Sequence, residues 1–115
     1  MHDLFADEKE NDIFNNEVRK GFLKMILLKI IAEQPTHGYE IIRRIQEKSE
    51  GRWTPSPGSV YPALEYLESR GYIASEEAER KKVYAITPKG TQMIGQMKKK
   101  REEMLKELVS FLGDL

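Results

Sequence analysis

The sequence predicts a mainly α fold with a small β-hairpin wing: a winged helix-turn-helix followed by one C-terminal helix. Three observations carry that expectation. Two stretches with helical apolar periods stand on either side of a short turn containing Gly51, Pro55 and Pro57, over residues 36–70. A hairpin pattern rich in charge follows at once, to residue 86, and a third apolar helix period then runs from Thr87 to about Leu112. Helix, turn, helix and hairpin in unbroken succession is the plan of a winged helix.

Taken in order, residues 1–15 read as an acidic arm, MHDLFADEKENDIFN, with no periodic apolar face. From about Asn16 to Gln34 the chain is strongly apolar, and between residues 22 and 31 only Lys24 and Lys29 interrupt the run. Such a helix is buried all round, and 115 residues can hardly enclose it, so a second chain is expected over one side. Pro35 stops it. Either Thr36 or His37 can cap the next helix, whose core stripe is Ile41, Ile42 and Ile45. The helix after the turn has two admissible starts. Ser56 as cap puts Pro57 at the first helical position; Ser59 as cap puts Pro62 in the first turn. Both give an apolar stripe of Val60, Ala63, Leu64 and Leu67, ended by Gly71. The strands are expected at 72–77 and 82–86, joined by Ala78-Glu79-Arg80-Lys81. Thr87-Pro88 supplies a cap and first position for the last helix, so the chain divides into an arm over 1–15, a winged-helix unit over 16–90 and a helix over 91–115.

Composition narrows the class. Of 115 residues 33% are charged and none is cysteine, which excludes disulfides and thiolate chemistry and suits a reducing cytoplasm. The start lacks the apolar core of a secretory signal, and FLKMILLKII is about half a membrane span, so no membrane partner is expected and the localisation expected is cytoplasmic. Basic and acidic side chains balance at 19 each, so any positive face must come from local clustering. No phosphate-binding glycine loop, nucleophile elbow or metal spacing occurs; His2 and His37 lack further ligands at useful spacing. The chain is therefore not expected to be an enzyme, nor to hold a cofactor or metal.

The candidate chemistry is that of binding double-stranded DNA. In the helix near Ser56 the core stripe leaves Gly58, Ser59, Pro62, Glu65 and Tyr66 facing away. Small and hydroxyl residues at its N-terminal end let backbone approach DNA, with free N–H groups pointing at phosphate. Tyr61 lies at the stripe's edge, its hydroxyl free to emerge. Two carboxylates, Glu65 and Glu68, oppose a groove lined by phosphate, so only the first turn and a half is expected to reach base edges. Arg80, Lys81 and Lys82 cluster at the hairpin tip, where a wing meets the DNA backbone. Arg43 and Arg44 are further candidates for contact, though Glu40 and Glu47 stand at pairing distance along the helix. Trp53 reads as a plug between helices.

In the last helix Ile94, Met97, Arg101, Met104, Leu108 and Phe111 alternate at spacings of three and four, a coiled-coil-like seam that Leu105 and Leu112 widen. With Val18, Phe22 and Met25 of the first helix they form the expected dimer interface.

At HGYEI (37–41), PSPGSVYPALEYLESRGYI (55–73) and RKKVYAITPKG (80–90) the sequence closely resembles the PadR family of transcriptional regulators, in its short C-terminal branch. The resemblance covers roughly residues 18–90. It implies a homodimeric repressor on a palindromic operator, dimerised through the first and last helices, and in some members release from DNA by a small aromatic or drug-like effector. On matching positions it implies Ser56, Ser59, Tyr61 and Pro62 as recognition-helix contacts, Lys81 and Lys82 as wing contacts, and Tyr39 as scaffold. The rival reading is a winged-helix module that binds protein without specific DNA binding, favoured by the neutral charge and the two glutamates.

Overall fold

The computed structural model describes the backbone of residues 8–113 and side chains from Glu17 to Gly113. The expected arm lies outside the described residues as far as residue 7. Four helices and one hairpin follow in the order α1 (Glu8–Glu33), α2 (Gly38–Lys48), α3 (Pro57–Ser69), β1 (Ile73–Ala78), β2 (Lys81–Ile86) and α4 (Pro88–Leu112). This is the expected winged helix with a long final helix. Helix α1 begins at Glu8, ahead of the Asn16 start read from the apolar pattern, because EKENDIFNN has no stripe to mark it.

Each boundary has a local cause. The His37 ring caps α2, its Nδ1 accepting from the Glu40 backbone N–H at 3.3 Å, so of the two candidates it is His37. The Ser56 hydroxyl caps α3, accepting from the Ser59 N–H at 3.2 Å with Pro57 at the first helical position. Pro62 therefore lies inside α3, where it cannot bond the Gly58 carbonyl. At the far end Gly71, with φ +80°, lets Tyr72 N–H reach the Leu67 carbonyl and its own N–H reach Glu68, the two bonds of a Schellman stop. The Thr87 hydroxyl accepts from Gly90 N–H at 3.1 Å to cap α4 and donates to the Gly71 carbonyl at 2.6 Å, tying the two helices' ends together.

The strands pair antiparallel from Ile73 with Ile86 to Ala78 with Lys81, so the turn is Glu79-Arg80 alone, both with positive φ, and not the expected four residues. A third pairing extends the wing: Thr36 and Tyr84 exchange backbone hydrogen bonds of 3.0 and 2.8 Å, stitching the α1–α2 corner to β2.

The core gathers Leu27, Leu28, Ile30 and Ile31 of α1 against Ile41 and Ile45 of α2, the Val60-Ala63-Leu64-Leu67 stripe of α3, and Ile73 and Tyr84 of the wing. Helix α1 is buried on that side only. Val18 and Met25 stay exposed and Phe22 half-buried. Helix α4 rests on α1 through Met93, Ile94 and Met97, and every residue from Lys98 to Gly113 is exposed.

Candidate nucleic-acid interface

The N-terminal turn of α3 stands at the surface. Ser56, Pro57, Gly58, Ser59 and Pro62 are exposed while Val60 is fully buried, so the small residues face outward. The Ser56 hydroxyl donates to Ser59 Oγ at 3.2 Å, which leaves the Ser59 hydroxyl proton free for an outside acceptor. Nothing crowds a side-chain carbon added at Gly58; the nearest atom is Ser56 Oγ at 3.8 Å.

Tyr61 is partly exposed, and its ring lies on Gly38 of α2. A methyl group at Gly38 would stand 2.6 to 2.8 Å from its ring atoms and hydroxyl. The glycine of HGYEI thus gives the ring its seat. Beside it opens a cleft of about 470 Å³ between the start of α2, one flank of α3 and the wing. His37, Gly38 and Tyr39 line one wall, Tyr61 and Glu65 the second, and Arg80, Lys81, Lys82 and Tyr84 the third. The three wing cations are exposed and none forms an ion pair among the described residues.

The two glutamates of α3 divide. Glu68 is turned into the wing, accepting from Ser75 N–H at 3.1 Å and Ser75 hydroxyl at 2.5 Å, so it positions β1. Glu65 alone lines the cleft, where the three cations outnumber it.

The structure does not bring the α2 arginines to this cleft. Arg43 is clamped between Glu40 (3.0 and 2.5 Å) and Glu47 (2.7 Å) on the exposed face of α2. Those bonds, the Glu40 one foremost, hold the Arg43 guanidinium above and the Glu40 carboxyl below their ordinary ranges. Arg44 turns the other way, pairing with Glu33 and donating to the Ile30 carbonyl at 3.4 Å, so it closes the end of α1. Both are satisfied within the protein, and Arg44 is largely buried.

Tyr39, read as scaffold, is 69% exposed, its ring stacked on His37 at 6.5 Å. His37 and Tyr84 were missed for the opposite reason: each has a structural job, as cap and as core, and lines the cleft as well. The exposure of Tyr39 has a faint signal in sequence, since it falls off the Ile41-Ile45 stripe; the place of Tyr84 beside the cleft has none.

On the opposite side Phe22, Met25, Ile26, Ile30, Ile45, Trp53, Ile94 and Met97 line a groove of about 760 Å³. Lys29, Lys48, Lys98 and Arg101 rim it without a carboxylate. Trp53 is half-buried, edge-on to Phe22 at 5.9 Å with Arg19 over its face at 5.4 Å. It floors a groove as well as plugging helices. Among the described residues no group of three or more potential ligands could hold a metal ion, and no helix is long and apolar enough to cross a membrane.

Known proteins share this sequence pattern and fold. The model of the transcriptional regulator PadR-like family matches residues 27–96. The transcriptional regulator YqjI of Escherichia coli is 36% identical over 90 residues, which cover 77% of this chain and 43% of that protein. The chain thus spans less than half the length of that relative. A transcriptional regulator from Clostridium thermocellum is 31% identical with a TM-score of 0.72, over 85% of this chain and 99% of that one. Bacillus subtilis PadR, solved in complex with operator DNA, is 25% identical with a TM-score of 0.60, over 65% of this chain and 45% of that one.

Proposed function

The chain belongs to the PadR-like family of transcriptional regulators, and from that premise we propose that it binds a palindromic operator as a homodimer and represses transcription there. The observation that carries this reading is the pairing of an exposed, capped, small-residue turn at the start of α3 with a wing tip of three unpaired cations. The first part suits close approach to base edges and the second suits phosphate. Ser56, Ser59, Tyr61 and Pro62 would meet the major groove, and Arg80, Lys81 and Lys82 the backbone. That the related B. subtilis protein was solved with operator DNA supports DNA as the partner.

The dimer would form through Val18, Phe22 and Met25 of α1 with the seam of α4. Met104, Leu105, Leu108, Phe111 and Leu112 are 49 to 83% exposed in the single chain, an apolar face that a second copy would cover. A small aromatic effector, where one acts, would enter the groove floored by Phe22 and Trp53, between reading head and dimer helices. The protein-binding rival loses much of its support once Glu68 is engaged by Ser75.

Selection of bound sequences from a random duplex pool tests the reading. An enriched palindrome, bound more weakly as salt rises, is expected. No enrichment, with salt-insensitive binding, would turn the assignment to the protein-binding rival.

A further inference from the structure

We propose that the cleft between α2, α3 and the wing seats one backbone phosphate of the bound duplex, held by the Tyr84 hydroxyl and the His37 ring in addition to the wing cations. The proposal rests on the DNA-binding reading above and adds two residues which that reading does not use.

Tyr84 carries most of the argument. It is 4% exposed, its ring in the core and its backbone paired with Thr36. Its hydroxyl makes no hydrogen bond within the protein among the described residues. No described side-chain oxygen or nitrogen shut off from solvent lacks a partner, so the hydroxyl must open onto the cleft that Tyr84 lines. A phenol held by a buried ring with its hydroxyl open to the cleft is a pre-positioned donor, satisfied by water until an acceptor displaces that water. Burial first, then the charge of Glu68, pushes the Tyr84 phenol up, so it keeps that proton and remains a donor.

His37 supplies a second donor by the logic of its cap. Its Nδ1 accepts from Glu40 N–H, so in the capping tautomer the proton sits on Nε2. The ring lines the cleft, and Nε2 makes no hydrogen bond among the described residues. The N-terminus of α2 adds its dipole at the same wall. Tyr61, seated on Gly38, brings its hydroxyl from the side. All these groups are donors, while Glu65 is the one carboxylate among the lining residues. A donor-rich, cation-rimmed cleft of this kind fits a phosphodiester better than a base edge, which offers donors as well as acceptors.

Two substitutions separate the phosphate contact from the structural jobs. Tyr84→Phe removes one hydroxyl and leaves the ring in place; His37→Ser withdraws the ring and keeps a capping oxygen. Each is expected to weaken binding about fivefold to tenfold, equally for every duplex sequence. Duplexes with one phosphate at a time replaced by neutral methylphosphonate should reveal one position per half-site that weakens the intact protein more than it weakens Tyr84→Phe. Should Tyr84→Phe melt early, His37→Ser carries the same comparison. Variants that bind like the intact protein, or methylphosphonate penalties undiminished in both, overturn the phosphate seat alone. An intact protein that binds no duplex removes the DNA-binding reading and the seat with it.

Discussion

Two glycines at the reading head have opposite packing and give opposite expectations. A side-chain carbon at Gly38 would collide with the Tyr61 ring at 2.6 Å, so Gly38→Ala should displace that ring. Tyr61 is partly exposed and can swing outward, which limits the loss of stability to roughly 1 kcal/mol while affinity for DNA falls. Gly58 has open space around it, and alanine there favours the helix by up to about 1 kcal/mol. Gly58→Ala should therefore melt no earlier than the parent and still bind DNA more weakly, because the added methyl group faces the duplex. Thermal melting and fluorescence anisotropy on one duplex check both; a Gly58→Ala protein with unchanged affinity would mean the start of α3 does not approach DNA closely. Val60 was legible from sequence because one local rule, the apolar stripe, governs it, whereas the cap stayed open between Ser56 and Ser59 until the Ser56 hydroxyl was seen on the Ser59 N–H. Tyr84 was not legible, since its bridge to Thr36 spans 48 positions and no local pattern announces it.

Among the elements, the α1–α2 clamp and the wing each carry a test. Partial burial opposes ionisation of Glu33, yet Lys48 and Arg44 outweigh it and hold its carboxyl below the ordinary range. A depressed folded value means that the ion pair's stabilisation is present at neutral pH and is lost as acid titrates the group, below roughly pH 4.3. Glu33→Gln should accordingly cost about 0.5–1 kcal/mol at pH 7 and progressively less as the pH is lowered into the acid range, followed by urea unfolding. A difference that does not shrink in acid would assign the loss to packing. For the wing, Arg80, Lys81 and Lys82 changed together to Ala should lower affinity for all duplexes alike and reduce the salt slope by up to about 3 units; an unaltered slope would remove the wing from the interface. Element types and order were readable in the sequence because α2, α3 and the hairpin each keep one period throughout. The start of α1 was not, having no stripe, and the fate of Arg44 was not, because its partner Glu33 lies on a neighbouring helix and not along its own.

For the molecule as a whole, α4 poses the question of what its outer half is for. After Met97 every described residue is exposed in the single chain, and a helical extension of this length without packing is marginal in water. Its apolar face would be stabilised by burial against a partner, at about 2 kcal/mol for each leucine-sized side chain covered. Leu108 is 52% exposed and Met104 63%, so Leu108→Asp or Met104→Asp should leave the winged helix folded. In a dimer the same change places a carboxylate in the seam, twice over by symmetry, and the dimer should dissociate. Its effect on DNA then follows from geometry. Two reading heads about 34 Å apart engage two half-sites together, whereas a monomer engages one. Affinity for the palindrome should collapse toward that for an isolated half-site, and the salt slope should fall by about half, in proportion to the phosphates met. Sedimentation and half-site titration run side by side check this, and a Leu108→Asp protein that still sediments as a dimer would place the interface on the Phe22–Trp53 groove instead of the α4 seam.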